Sequence, residues 1–476
     1  MNVVIASSEV FPFSKTGGLA DVAGALPKAL AQNGLNISVF SPLYKTVDRS
    51  SLTIVSNVEV DFNHTKTSIN LYETQQNNCT FYFIENQNYY NRDYLYGIGA
   101  QDYEDNALRF GFFSKAVLDS LKTLNIIPDI LHTNDWQSAL INVYLKVFYK
   151  NIFTKTKTVF TIHNLGYQGI FDKNYMNNLE LPWELFTIDG LEYYDKINFL
   201  KGGIVFADAV TTVSKTYALE IQTPEFGFGL DGLLKKFSYK LSGIVNGIDV
   251  DVWDPKSDKF IDYNFNNPKD KIKNKNALQK LLGLPIKEVP VFGVVSRLAA
   301  QKGMDIFSSS VKELLESNTN VQFIILGSGE KDIEDQLSQL ASQYKDKISL
   351  NLKFDEPLAH KIYASSDFFV MPSKYEPCGL GQMIAYRYGT LPIVRATGGL
   401  KDTVKNYSNR SKNPTGFVFE KYDSKELTKT IKKAIELFNK KDELLKIAQY
   451  VMSLDYSWKN QAKEYIKLYK KIYGYR

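Results

Sequence analysis

The side chains best suited to chemistry in this chain stand in short runs that contain glycine. Ser14-Lys15-Thr16-Gly17-Gly18-Leu19-Ala20-Asp21 sets a mobile cation beside paired glycines at an expected helix start. Glycine lets a ligand approach the backbone, and the free N–H groups of a helix start suit an anion. The order differs from a nucleotide-binding P-loop, because the lysine precedes the glycines. Taken alone, the run fits either a ligand site or a surface lysine beside a tight turn.

A second set follows later in the chain. Ser296-Arg297-Leu298-Ala299-Ala300-Gln301-Lys302-Gly303 follows an apolar run, and two cations five residues apart in such a loop can converge on one diphosphate. Ser373-Lys374-Tyr375-Glu376-Pro377-Cys378-Gly379-Leu380 and Thr397-Gly398-Gly399-Leu400 place a carboxylate and glycine-rich backbone after two further apolar runs. A carboxylate there can hold sugar hydroxyls while nearby N–H groups take phosphate. Cys378 alone reads as a small apolar filler.

His132-Thr133-Asn134-Asp135-Trp136 and His163-Asn164-Leu165-Gly166-Tyr167-Gln168-Gly169 also follow apolar runs. An acid and an aromatic there suit a sugar, which needs hydrogen bonds on its rim and an apolar face. Taken alone, the first run reads better as a buried tryptophan with a helix-capping aspartate, while a satisfied core histidine fits the second equally well. Asp249-Val250-Asp251 has the Asp-x-Asp form that can hold a divalent ion, but it lies in a linker and reads as turn chemistry.

These loops need elements to hold them. Short β-branched runs alternate with helical patterns: Val3–Ala6, Ile37–Phe40, Ile130–His132, Val159–Ile162, Ala209–Val213 and Gly243–Val245 are expected strands, with a helix from Ala20 to about Gln32. The second half repeats the plan with Val291–Val295, Val321–Leu326, Phe368–Met371 and Ile393–Val394. Such alternation predicts an α/β protein of doubly wound parallel sheets. The shift to polar sequence after Asn246 divides the chain into domains at 1–245 and 246–455, with a final segment, 456–476, expected to pack back on the first. Two such domains would set their strands' carboxyl ends facing a cleft, where ligands of these sheets bind.

Composition narrows the class. At 44% hydrophobic and 23% charged, the 476 residues are globular. Two cysteines and four histidines cannot form a disulfide framework or a histidine-rich metal centre. A net charge of +5 is too weak and too dispersed for a nucleic-acid surface. The lysine-rich stretch Lys425 to Lys446 reads as one helix with a solvated face, its apolar positions being Leu427, Ile431, Ala434, Ile435 and Phe438. The start, Met1 to Ala6, already reads as a strand without a signal-peptide pattern, and no apolar run approaches a membrane span. A cytoplasmic protein is expected.

Together, Lys-Thr-Gly-Gly-Leu at 15–19, His-x-x-Asp-Trp at 132–136, His-Asn-Leu-Gly-Tyr-Gln-Gly at 163–169, Asn-Gly-Ile-Asp at 246–249, Ser-Arg-Leu-x-x-Gln-Lys-Gly at 296–303 and Glu-Pro-Cys-Gly-Leu at 376–380 resemble the bacterial glycogen synthase and plant starch synthase family. The resemblance implies a GT-B fold and retaining transfer of glucose from ADP-glucose to the non-reducing end of an α-1,4-glucan such as glycogen, with no metal and no further cofactor. It implies that Lys15, Arg297 and Lys302 face the donor diphosphate. Glu376, with the backbone of Cys378, Gly379 and Leu380, would hold glucose hydroxyls. His163 and Asn164 would line the glucose site, Asp135 would lie near the acceptor hydroxyl, and Phe354 would stack on adenine. Gly17, Gly18, Asp21, Asn246, Gln301, Thr397, Gly398 and Gly399 complete the implied substrate contacts. The wider retaining class carries a second glutamate eight residues after the first; Ile384 stands there, as this branch leads one to expect.

No carboxylate pair suited to a hydrolase is evident. The chemistry left to the protein is positioning and charge stabilisation, with water excluded. Two rivals remain at this level. One is a GT-B transferase that uses another nucleotide sugar; the other is a non-catalytic glucan-binding relative, which should have lost some of Lys15, Arg297, Lys302 and Glu376.

Overall fold

A run of four apolar residues at the amino terminus forms the middle of the first sheet. The computed structural model describes residues 1–99, 101–408 and 410–474. Strand β1 (Asn2–Ala6) has Val3, Val4, Ile5 and Ala6 at most 1% exposed. Such burial on both faces is what a parallel strand covered by helices requires.

Helix α1 (Gly18–Gln32) follows β1 and buries Ala20, Val22, Ala23, Leu26, Ala29 and Leu30. Next come β2 (Asn36–Pro42), β3 (Thr53–Phe62), β4 (Thr65–Gln76) and β5 (Cys79–Ile84). Helix α2 (Asn106–Thr123), β6 (Ile130–Asn134), α3 (Asp135–Val147), β7 (Lys157–Ile162), β8 (Ala209–Thr212) and β9 (Leu241–Gly243) complete the plan. Among the described residues they form a nine-stranded sheet in the order β9-β8-β7-β6-β1-β2-β5-β4-β3. All of its pairings are parallel except β3 with β4 and β4 with β5.

The connections run one way from β1 to β2 and return to its other side at β6. The crevice where the order reverses, beyond the carboxyl ends of β1 and β6, is the binding position of such a sheet. The Lys15 loop leaves β1 there, and Asp135 leaves β6.

The second unit begins with α4 (Lys271–Leu281) and β10 (Val291–Val295). Strands β11 (Gln322–Leu326), β12 (Ile348–Asn351), β13 (Phe368–Met371), β14 (Leu391–Arg395) and β15 (Phe417–Phe419) follow, then helices α5 (Ser424–Phe438) and α6 (Lys441–Met452). Among the described residues the strands form a six-stranded, all-parallel sheet in the order β12-β11-β10-β13-β14-β15. Its reversal lies between β10 and β13, so the loops of Arg297 and of Ser373 to Leu380 leave adjacent carboxyl ends.

The chain divides into Met1–Gly247 together with the segment from Trp458 onward, and Ile248–Ser457. Both breaks fall two residues later than the divisions at 245/246 and 455/456. The reason is local. Ile248 N–H donates to Tyr456 O at 2.9 Å and Ile248 pairs with Ser457, so these two crossing segments belong to one body. Asn246, assigned by sequence to the second domain, therefore lies in the first. The final helix, Trp458–Tyr473, packs on α1, and Tyr469 OH reaches His132 Nδ1 at 2.7 Å.

Two expectations need correction. The strand placed at Gly243–Val245 lies at Leu241–Gly243, where it pairs with Val210 to Thr212. The single helix over Lys425–Lys446 is two, because Lys440 leaves the helical region at φ −99°, ψ 68°. That turn brings Ile447 and Val451 onto the core. The hairpin β3–β4 was not anticipated. Its buried residues alternate with polar ones, as in Val58, Val60 and Phe62, a pattern weaker than an unbroken apolar run.

Candidate active site

In the second unit, a pocket of about 180 Å³ opens at the crevice between β10 and β13. Lys302 Nζ lies 2.9 Å from Glu376 Oε1 and 2.7 Å from Oε2, and Ser373 Oγ donates to Oε2 at 2.9 Å. Glu376 is only 5% exposed, so its carboxylate is held by this cation and hydroxyl rather than by water. Arg297 is exposed at the rim, where its Nη2 donates to Gln301 Oε1 at 3.2 Å. Gln301 Nε2 donates in turn to Tyr375 O. Gly379 and Leu380 also line the pocket.

The backbone around this pocket is tightly fixed. Gly398 has φ 44°, and a Cβ there would lie 1.9 Å from Glu376 O. A Cβ at Gly399 would meet Cys378 O at 2.0 Å. The Thr397-Gly398-Gly399 turn is thus clamped to the Glu376 loop, and Gly399 N–H bonds Glu376 O at 3.2 Å. Cys378 is buried, which fits its reading as a filler. Phe354 stands at the end of β12 and is 89% exposed, so its ring is open to a partner.

The first unit carries a different arrangement. Lys15 Nζ pairs with Asp21 Oδ1 at 2.7 Å, and it lies 5.3 Å from the centre of the Phe11 ring. Behind the loop stands Glu9, 3% exposed, whose Oε2 accepts Thr16 N–H and Thr16 Oγ1. Burial pushes its pKa up to about 7, against the donors of Thr16 and Gly17 that favour the charge. Neither Gly17 nor Gly18 is demanded by packing. A Cβ at 17 would meet only Glu9 Oε1, at 3.8 Å, and one at 18 would meet nothing within 4 Å.

Asp135 opens α3 at φ 55°, a left-handed conformation that costs a non-glycine residue roughly 1 kcal/mol or more. Its Oδ1 accepts His163 N–H at 2.7 Å, which ties β6 to the loop after β7. Burial raises its pKa to about 7, and the charge of Glu9 adds to the effect. Asn134 Nδ2 donates to Ala6 O, which leaves Asn134 Oδ1 to accept from His163 Nε2 at 2.9 Å. His163 therefore carries its proton on Nε2 and keeps Nδ1 as an acceptor. Burial lowers its pKa to about 3, so it stays neutral at working pH.

Several sequence-derived candidates divide differently from the expectation. Lys302 and Glu376, given to diphosphate and to sugar, form one ion pair. Trp136 is buried, as its run alone suggested: it is 7% exposed and packs edge-on against Phe110 at 5.0 Å. His132 is a core histidine, bonded to Tyr469 and to Thr161 Oγ1 at 2.6 Å. Asn164 Oδ1 accepts Gly166 N–H at 3.0 Å within its own turn. Asn246 is 5% exposed, and its Oδ1 has no hydrogen-bond partner among the described residues. Asp249 Oδ1 accepts Asp251 N–H at 2.9 Å, the turn chemistry expected of it. Among the described residues, no cluster of three or more His, Cys, Asp or Glu is placed to hold a metal.

Sequence reasoning missed Glu9, Asn134 and Ser373. Glu9 had a signal, being an acid that ends an otherwise apolar and small run, Val3 to Ser8. Asn134 and Ser373 act through bonds to residues distant in sequence, and nothing in their local pattern marks them.

Comparisons with known proteins agree with this fold. Residues 2–236 match the starch synthase catalytic domain and residues 283–450 match glycosyl transferases group 1. A glycogen synthase of Koribacter versatilis is 46% identical, over 99% of this chain and 98% of its own. One of Thermotoga maritima is also 46% identical, over 99% of both chains. Among solved structures, the catalytic domain of starch synthase IV from Arabidopsis thaliana, bound to ADP and acarbose, superposes with a TM-score of 0.91 at 34% identity and covers 99% of each chain. A sucrose-phosphate synthase from Thermosynechococcus elongatus, 17% identical with a TM-score of 0.61, shares the fold. No helix among the described residues is long and apolar enough to cross a membrane. With two parallel-sheet domains of the GT-B kind, this chain belongs to the glycogen and starch synthase family of glycosyltransferases.

Proposed function

We propose that this chain transfers glucose from ADP-glucose to the non-reducing end of an α-1,4-glucan, with retention at the anomeric carbon, in the cytoplasm, and with neither metal nor cofactor. The observation that carries the proposal is the Lys302–Glu376–Ser373 cluster in a pocket rimmed by Arg297. A nucleoside diphosphate sugar needs cations for its phosphates and a fixed acceptor for its hydroxyls, and this pocket holds both. The ADP bound to the starch synthase of Arabidopsis supports the choice of nucleotide.

The steps follow from charge. As the bond between the anomeric carbon and the β-phosphate oxygen breaks, negative charge grows on the diphosphate. Arg297 and Lys302 stabilise it, with Lys15 as the cation of the first unit. Glu376 and the N–H groups near Gly379 and Leu380 hold the glucose hydroxyls. The acceptor 4-hydroxyl attacks on the face the leaving group vacates, and its proton passes to a phosphate oxygen of departing ADP. Asp135, whose pKa near 7 leaves it partly protonated, orients the acceptor hydroxyl, while neutral His163 adds no charge beside the developing cation.

Turnover of ADP-glucose and UDP-glucose, side by side with glycogen as acceptor, tests the proposal. Faster α-1,4 extension from ADP-glucose is expected. A preference for UDP-glucose would overturn the donor assignment. Glycogen binding with no transfer from either donor would support a non-catalytic relative instead.

A further inference from the structure

The second unit has another cavity, larger than the donor pocket and at the opposite ends of the same strands. Its volume is about 220 Å³. Asp367 and Gly389, which line it, directly precede or lead into the amino ends of β13 and β14. Ligands of parallel sheets are usually taken at the carboxyl ends, so neither the fold rule nor the proposed transfer accounts for this cavity.

Its lining is basic. Lys269, Lys271, Lys275 and Lys441 reach it against two carboxylates, Glu288 and Asp367. Lys441 pairs with Glu288 at 3.0 Å and Lys275 with Asp367 at 2.6 Å. Asp367 also accepts Val291 N–H at 2.8 Å, so its charge is committed to the fold. Lys269 and Lys271 have no ion-pair partner among the described residues, so basic groups outnumber the acids that line the cavity. Asp442 and Glu443 begin the same helix as Lys441, but they do not line the cavity, and Glu443 accepts Tyr407 OH at 2.9 Å.

The uncharged groups point the same way. Lys271 Nζ donates to Ser366 O and Thr390 Oγ1, and an ammonium keeps a third N–H. Ser365 is 2% exposed, and its hydroxyl has no hydrogen-bond partner among the described residues. Helix α6, of 12 residues, begins at this cavity without a side-chain cap, and the free N–H groups of such a start favour an anion. Phe438, Ile272 and Leu444 form an apolar wall beside these groups.

We infer that this cavity is a regulatory or storage site for a small phosphate monoester, with the phosphate among Lys269, Lys271, Lys441 and Ser365 and the organic part against Phe438 and Leu444. A monoester carries about −1.5 to −2 at neutral pH, which suits a lining where four lysines stand against two carboxylates. The apolar wall favours an ester over the bare ion. Burial holds Lys271 down at a pKa of about 7, with Lys275 opposing its charge and Asp367 favouring it. A bound dianion supplies the counter-charge that this ammonium lacks.

Calorimetric titration of the full chain with glycerol 3-phosphate, inorganic phosphate and glycerol tests the inference. One saturable site per chain is expected for glycerol 3-phosphate, weaker binding for phosphate and none for glycerol. The double variant Lys269→Glu, Lys441→Glu should weaken binding by about tenfold or more, and its unchanged melting temperature would show that it folds. Ser365→Ala gives a milder probe and should weaken binding by a few-fold. Lys302→Met, in the donor pocket, should leave it unchanged. The inference fails if no binding occurs at millimolar concentration, if the double variant binds like the parent, or if Lys302→Met abolishes binding. The last outcome would assign the phosphate to the donor pocket, and none of these results depends on which sugar nucleotide the enzyme uses.

Discussion

The two glycine-rich strand ends of this molecule are built on opposite principles. In the second unit the backbone is forced: Gly398 sits at φ 44° with Glu376 O where its Cβ would go, and the carboxylate is locked to Lys302. In the first unit Gly17 and Gly18 have room for a side chain, and the acids behind them, Glu9 and Asp135, are buried near their titration point. One half presents fixed charge on a rigid frame. The other keeps open space and neutralisable carboxyl groups, which would suit the bulky, uncharged acceptor of the proposed transfer.

The largest effect that would break this contrast concerns Glu376. If its carboxylate holds sugar hydroxyls, Glu376→Ala should lower turnover by about 10²–10³ while ADP binding persists. Rate assays alongside ADP titration check this, and near-normal turnover would remove Glu376 from the site.

The glycines come next. Gly398→Ala should destabilise the protein by roughly 3 kcal/mol or more, through left-handed strain and the clash with Glu376 O. Gly18→Ala should be neutral or gain up to about 1 kcal/mol, because alanine suits a helix better. Its activity should nonetheless fall if substrate uses that space. Thermal melts and rates on both variants separate the two predictions.

A third effect depends on pH. The folded pKa of Asp135, about 7, lies above the ordinary aspartate value, so the folded state holds its proton while the unfolded state releases it. Stability from this group is therefore greatest below the ordinary value and is lost as pH rises through about 4 to 7. Asp135→Asn removes the penalty and should stabilise the protein by up to about 4 kcal/mol at pH 8, with no gain at pH 4. Transfer should fall at the same time. Denaturant unfolding at the two pH values measures it, and equal shifts at both would contradict the assignment.

The smallest effect concerns Phe354. At 89% exposed it supports no core, so Phe354→Ala should leave the melting temperature unchanged. Its loss should raise KM for the donor by about threefold to tenfold, the worth of one aromatic stack.

Legibility followed the same division. The strands that carry the site were readable because parallel strands buried on both faces leave unbroken apolar runs, as in Val291–Val295 and Phe368–Met371. The hairpin β3–β4 and the break at Lys440 were not, since one is half polar and the other depends on packing beyond the helix. Lys15, Arg297, Lys302 and Glu376 were legible as charged residues after such runs. What sequence could not supply was pairing: that Lys302 and Glu376 meet, or that Asn134 fixes the tautomer of His163. Those facts come from contacts between loops that only the sheet order brings together.

The central claim is that protein cations, and no metal, carry the charge of the departing diphosphate. Its most direct test is the initial rate of transfer from ADP-glucose to glycogen, in excess EDTA, for the parent chain and for Lys302→Met. The melting temperature of the variant should be followed as well, because Glu376 loses its buried partner. The account predicts that the parent keeps its rate in EDTA and that Lys302→Met loses about 10²–10³ of it, roughly 3–4 kcal/mol. Loss of the parent's activity in EDTA, with Lys302→Met as active as the parent in its absence, would contradict it.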